Sequence, residues 1–92
     1  MSDALTRQMK IVNVKGLHAR ASAKFVETVE EHDASASVSK DGLSAAGDSI
    51  MGLLMLAASQ GTTIEVETSG PQSADLMDAL EALVADKFGE GM

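Results

Sequence analysis

Lys15-Gly16-Leu17-His18-Ala19-Arg20-Ala21-Ser22-Ala23-Lys24-Phe25 joins a strand-like run to a helix-like run, and the rest of the chain reads as the scaffold around that junction. Gly16 breaks the strand pattern. Ser22, Phe25, Val26 and Val29 then recur at three- and four-residue spacing, the buried stripe of a helix from His18 or Ala19 to about Glu31. His18 therefore falls where the helix begins. The first-turn N–H groups have no internal partner and the helix dipole adds partial positive charge, so such an end attracts phosphate. The same field disfavours a protonated imidazole. Arg20, two residues on, offers a rigid, always-charged fork to the same anion. His18 is on these grounds a candidate phosphoryl acceptor with Arg20 beside it, although most histidines at a helix start are plain surface or capping residues.

Outward from this junction, Thr6 to Val14 reads as a strand with Met9 and Ile11 inward and Gln8, Lys10 and Val12 outward. Lys24, Glu27, Glu30 and Glu31 take the wet face of the helix, and His32-Asp33 ends it, His32 having no chemical task. Ser35 to Lys40 alternates as a short strand, Asp41-Gly42 signals a two-residue hairpin with positive φ at both positions, and Leu43 to Ala46 returns as the partner strand. A short helix follows, about Ile50 to Ala57, capped by Asp48 or Ser49. It is apolar almost all round, so some of Ile50, Met51, Leu53, Leu54, Met55 and Leu56 must face solvent or a partner, with Leu53 and Leu56 assigned to the core.

Gln60-Gly61 turns the chain, and Thr62 to Thr68 alternates with Ile64 and Val66 inward and Glu65 and Glu67 outward. Ser69-Gly70-Pro71 starts a last helix with Pro71 in its first turn; Met77, Leu80, Val84 and Phe88, flanked by Leu76 and Leu83, form its stripe, and Gly89 and Gly91 end it ahead of a frayed terminus. The order is βαββαβα. Each strand has one apolar face, so the class is α+β with a largely antiparallel sheet and helices on one side.

Ninety-two residues suit one small domain, 1–92, expected to be a monomer. The absence of Cys removes disulfides and thiolate metal sites, and the acids show no metal-ligand spacing, so no metal and no cofactor is expected. With no Trp or Tyr and two Phe, stacking on nucleobases is all but excluded, and a net charge of −7 argues against nucleic acid. No signal-like apolar segment or membrane-length run occurs, and a cytosolic chain without membrane association is expected. The charge is segregated: residues 1–24 hold five basic residues against one acid, +4, and residues 25–92 hold two against thirteen, −11. A basic end on an acidic protein suits an anion held at that end.

Gly16-Leu17-His18-Ala19-Arg20 resembles the active-site signature of the HPr family, the phosphocarriers of the bacterial phosphotransferase system, and Ser49-Ile50-Met51-Gly52-Leu53-Leu54 resembles that family's regulatory-serine segment. The resemblance spans nearly the whole chain. It implies an open-faced β-sandwich of four antiparallel strands with three helices on one face. It further implies a His18 phosphorylated at Nδ1 by phospho-enzyme I and discharged to an enzyme IIA-type acceptor, with Arg20 orienting the phosphate. The protein is then a covalent carrier in a transfer chain, not a self-sufficient catalyst. Ser49 matches the serine that HPr kinase/phosphorylase modifies, and Ile50, Met51 and Leu54 match the docking patch. Two positions depart from the usual pattern: Ala21 stands where the family usually has Pro, and Asp48 where a basic or neutral residue is common. The wording without Pro looks closer to the nitrogen-related type than to the sugar-uptake type. An alternative is a regulatory docking protein acting mainly through its serine-phosphorylated form. Lys15 and Lys24 read as ordinary surface charges that assist steering.

Overall fold

The computed structural model describes residues 4–90. Its elements are β1 (Leu5–Lys10), α1 (Ala19–Glu30), β2 (Ser35–Lys40), β3 (Leu43–Ala46), α2 (Ile50–Met55), β4 (Thr63–Ser69) and α3 (Ser73–Ala85), followed by a 3₁₀ turn at Lys87–Gly89. The four strands form one antiparallel sheet in the order β1-β4-β2-β3. The three helices cover one face, as the apolar alternation requires. Register brings Met9 opposite Ile64 and Val38 opposite both Val66 and Ala45, so two neighbouring apolar rungs lie on one face of the sheet. Phe25 and Val29 of α1 and Leu76, Met77 and Leu80 of α3 join them in one buried cluster. Glu65, Glu67 and Gln8 lie on the open face in solvent. Asp41 and Gly42 take φ of 51° and 83°, the paired positive values of a two-residue hairpin.

Several boundaries differ from the sequence expectation, each for a tertiary reason. β1 ends at Lys10, not Val14, because its partner β4 begins opposite that residue. Ile11 stays fully buried but bonds the turn instead, donating to the Thr62 carbonyl at 2.8 Å and accepting from Gly61 N at 2.7 Å. α2 stops at Met55, two residues short, and Ala57 turns the chain with φ of 51°. Pro71 is not in the first turn of α3. It lies in a turn closed by Ser73 N donating to the Gly70 carbonyl at 3.1 Å, with Gly70 at φ 110°, and the helix starts at Ser73. Phe88 is buried as expected, but not as a helix residue: α3 ends at Ala85, and Phe88 reaches the core from the 3₁₀ turn with φ of 55°. Gly91 lies outside the described residues.

Candidate phosphoryl-transfer site

The site is built on the loop between β1 and α1. Gly16 has φ of 67°, and a Cβ there would lie 2.5 Å from the Ala58 carbonyl oxygen, so both the backbone conformation and the space demand glycine. The next residue, Leu17, is buried and donates its N–H to that same carbonyl at 2.9 Å, tying the loop to the segment after α2. Asn13 is fully buried beneath the loop and donates Nδ2 to the Gly16 carbonyl at 2.8 Å. Its Oδ1 has no hydrogen-bond partner among the described residues.

This frame delivers His18 to the N-cap of α1 with extended backbone, φ −79° and ψ −176°. The carbonyl of His18 accepts from Ser22 N at 2.8 Å, and its ring Nδ1 accepts from the Arg20 backbone N–H at 3.3 Å. The first turn of α1 itself contains no acid, so the carboxylate beside this helix end comes from elsewhere in the chain, from Glu90. The ring is about a quarter exposed, 26%, and Nε2 contacts Glu90 Oε2. His18 stands between two clefts. One is lined by Lys15, Leu17, Leu54, Ala57, Ala58 and Ser59, the other by Lys15, Ala19, Arg20, Gly89 and Glu90. The Arg20 guanidinium makes no hydrogen bond or ion pair among the described residues and is exposed to the second cleft.

Ser49 caps α2 with Oγ accepting from Gly52 N at 3.0 Å; of the two candidate caps it is Ser49, not Asp48, that fills the role. Met51 is 69% exposed and Ile50 39%, while Leu53 and Leu56 are buried. Leu54 is half-buried and lines a cleft with His18, whereas Ile50 and Met51 do not. Ser49 sits at the far end of α2, about 7.5 Å of helix rise from Leu54. Met55, 75% exposed, extends the apolar surface beyond the three residues read from the sequence.

Two residues at the site carried no motif signal. Asn13 shares the parity of Met9 and Ile11, so a polar side chain on the inward face of a strand pattern was its trace. Glu90 had none, being an acid in an acidic tail. Hydrogen bonds from Asn13 and from His18 hold the Glu90 carboxyl below its usual range, with Lys15 adding to the shift and partial burial opposing it. Lys24 also differs from its reading as surface charge, donating Nζ to the Phe88 carbonyl at 2.6 Å. His32 Nδ1 bonds the Thr28 carbonyl at 2.8 Å at the end of α1.

Among the described residues no helix is long and apolar enough to cross a membrane. Residues 5–86 match the family described as the PTS HPr component phosphorylation site. The chain is 46% identical over 87 residues to the phosphocarrier protein HPr of Cupriavidus necator, covering 95% of this chain and 98% of that protein. It is 40% identical over 86 residues to the phosphocarrier protein NPr of Shewanella violacea, covering 94% of each. The crystal structure of HPr from Thermoanaerobacter tengcongensis superposes with a TM-score of 0.90 at 34% identity, covering 96% of this chain and 99% of that one. A four-stranded open sheet, a histidine capping the first helix and these matches over nearly the full length lead to one conclusion: the chain belongs to the HPr family of phosphotransferase-system phosphocarriers.

Proposed function

We propose that His18 accepts a phosphoryl group on Nδ1 from phospho-enzyme I and passes it to an enzyme IIA-type protein. The observation that carries this reading is the His18 ring at the cap of α1, with Nδ1 against a first-turn amide and Lys15 and Arg20 on the adjoining cleft. The Nδ1 lone pair attacks phosphorus, and the bond from phosphorus to the donor atom breaks with its electron pair staying on the donor. The Arg20 amide that held Nδ1 then serves a phosphate oxygen, and the exposed guanidinium neutralises it. A helix terminus contributes only about 0.3–1 kcal/mol per exposed charge, which suits a group in transit. Ile50, Met51 and Leu54 form the docking surface for both partners, and an exposed Met adapts to more than one of them.

Incubation with phosphoenolpyruvate and enzyme I should add one acid-labile, base-stable phosphate, lost in His18→Ala. Label surviving that substitution would overturn the assignment. Arg20→Lys should slow transfer although charge is kept, because Lys lacks the bidentate fork.

A second reading concerns Ser49. Its half-buried hydroxyl at a helix cap is a place where phosphate can be added without unfolding the helix, and two negative charges beside Met51 would weaken enzyme I binding. On this reading the serine-phosphorylated form, made by an HPr kinase/phosphorylase, regulates the carrier. Incubation with such a kinase tests it: phosphate on wild type and none on Ser49→Ala supports the role, and no phosphate on either removes it. The branch served, nitrogen-related or sugar-uptake, is read from the acceptor: transfer to a nitrogen-type IIA in preference to a sugar-type IIA is the expected outcome for a chain with Ala21 in place of Pro.

A further inference from the structure

Glu90 comes to the site from the other end of the chain. After α3, Lys87, Phe88 and Gly89 take φ of 56°, 55° and 75°, so the chain folds back over the first helix. Positive φ at a Lys and a Phe carries a conformational cost, which the full burial of Phe88 offsets. Lys24 fastens the turn through the Phe88 carbonyl. The Glu90 side chain ends 9% exposed, with Oε2 on His18 Nε2 and Oε1 accepting from Asn13 Nδ2 at 2.9 Å. Asn13 Nδ2 also donates to the Gly16 carbonyl. Both partners of Nδ2 are acceptors, so the amide can face only one way.

We propose that Glu90 is a positioning residue for His18: its carboxylate holds the ring in the Nε2–H tautomer and so leaves the Nδ1 lone pair as the nucleophile. This rests on the reading of His18 as phosphoryl acceptor. A neutral imidazole carries one N–H, and either nitrogen can hold it. A carboxylate can only accept, so the nitrogen facing it must donate. Nδ1 independently faces a donor, the Arg20 amide, and must accept. The two contacts demand the same tautomer. When the Nδ1–P bond forms and the bond from phosphorus to the donor breaks, its electron pair staying on the donor, the Nε2 proton stays in place and the ring becomes cationic. Glu90 is then its counter-charge in direct contact, kept ionised by the Asn13 and His18 hydrogen bonds and by Lys15. Handing the phosphate on returns the pair to Nδ1 and restores the neutral ring. A buried carboxylate fixing imidazole tautomer and orientation plays the same part in hydrolase triads.

The test uses the full chain labelled with ¹⁵N-histidine. At mildly alkaline pH the His18 nitrogen shifts of the wild type should report the Nε2–H form. Glu90→Gln, whose amide oxygen still accepts, should keep that form; Glu90→Ala should give a mixture of tautomers. Phosphoryl uptake from phospho-enzyme I should fall about tenfold or more in Glu90→Ala. In Glu90→Gln uptake should fall less, since geometry is kept and only the counter-charge is lost. An unchanged tautomer or an unchanged rate in Glu90→Ala overturns the proposal and leaves the carrier reading standing. A wild type that takes no label on His18 overturns the carrier reading instead, and the nitrogen shifts still decide whether Glu90 governs the ring.

Discussion

Two helix caps in this protein use the same backbone device and are surrounded differently. His18 caps the twelve-residue α1 and Ser49 the six-residue α2, each accepting an N–H of its own first turn. Around His18 the loop is immobilised by Gly16, Leu17 and Asn13, two cations line the clefts, and a carboxylate returns from the C-terminal turn. Around Ser49 the neighbours are an exposed acid, Asp48, and the exposed apolar pair Ile50 and Met51. The difference teaches that a helix end by itself offers only a place for phosphate. On the proposed reading, what suits one end to transfer is the imidazole and the set of groups that orient it, and the other end serves contact and modulation.

The sharpest way to break the comparison is to ask both caps for the same chemistry. With phosphoenolpyruvate and enzyme I, His18→Ala should lose all label and Ser49→Ala none, read by autoradiography of the intact protein. Equal loss in the two would erase the distinction. Next comes the loop that only the His18 end possesses. Gly16→Ala forces a side chain into a left-handed backbone and against the Ala58 carbonyl, and should cost about 2–4 kcal/mol in urea unfolding. A stability like that of wild type would mean the loop relaxes and does not hold His18. Met51→Asp probes the other end: enzyme I binding should weaken by about 2 kcal/mol, roughly 30-fold, with the fold intact. Calorimetric titration showing no change would move the docking surface elsewhere.

Ser49→Ala removes an ordinary side-chain cap and should lower stability by about 1 kcal/mol without slowing transfer from enzyme I. The smallest effect is a pH response. Because Asn13, His18 and Lys15 depress the Glu90 carboxyl, its docking contributes above the value of an unfolded glutamate and is lost as pH falls through the lower, folded value. The Asn13 side-chain amide resonances should therefore move with a midpoint below that of an ordinary glutamate. A midpoint at the ordinary value would show that the tail is not docked.

Much of this was legible along the chain because it depends on neighbours in sequence. Asp41-Gly42 specifies its own hairpin, the apolar alternation of Thr63–Ser69 specifies which face is buried, and the three- and four-residue spacing of Ser22, Phe25, Val26 and Val29 specifies the face of α1. His18 and Arg20 were singled out because they stand at a helix start, where local periodicity changes and the backbone leaves polar groups unpaired. Local pattern offered Ser49 only as one of two caps, and its further role came from the family resemblance. The exposed side of α2 followed from counting apolar residues on a helix too short to bury them.

The remainder depended on what lay opposite. β1 ends where β4 ceases to face it, and no property of Val12 to Val14 could announce that. Pro71 fell into a turn rather than a helix because the Asp33 carbonyl accepts the Gln72 N–H at 3.0 Å from across the fold. Above all, the pairing of Glu90 with His18 and Asn13 is invisible in sequence, since it joins residues 72 and 77 positions apart through a reversed turn that the burial of Phe88 stabilises. Local pattern determined most of the elements and singled out His18 as the candidate acceptor. Packing of the chain's end against its first helix decided which groups surround that residue, because only a closed core can hold a charged tail against an imidazole.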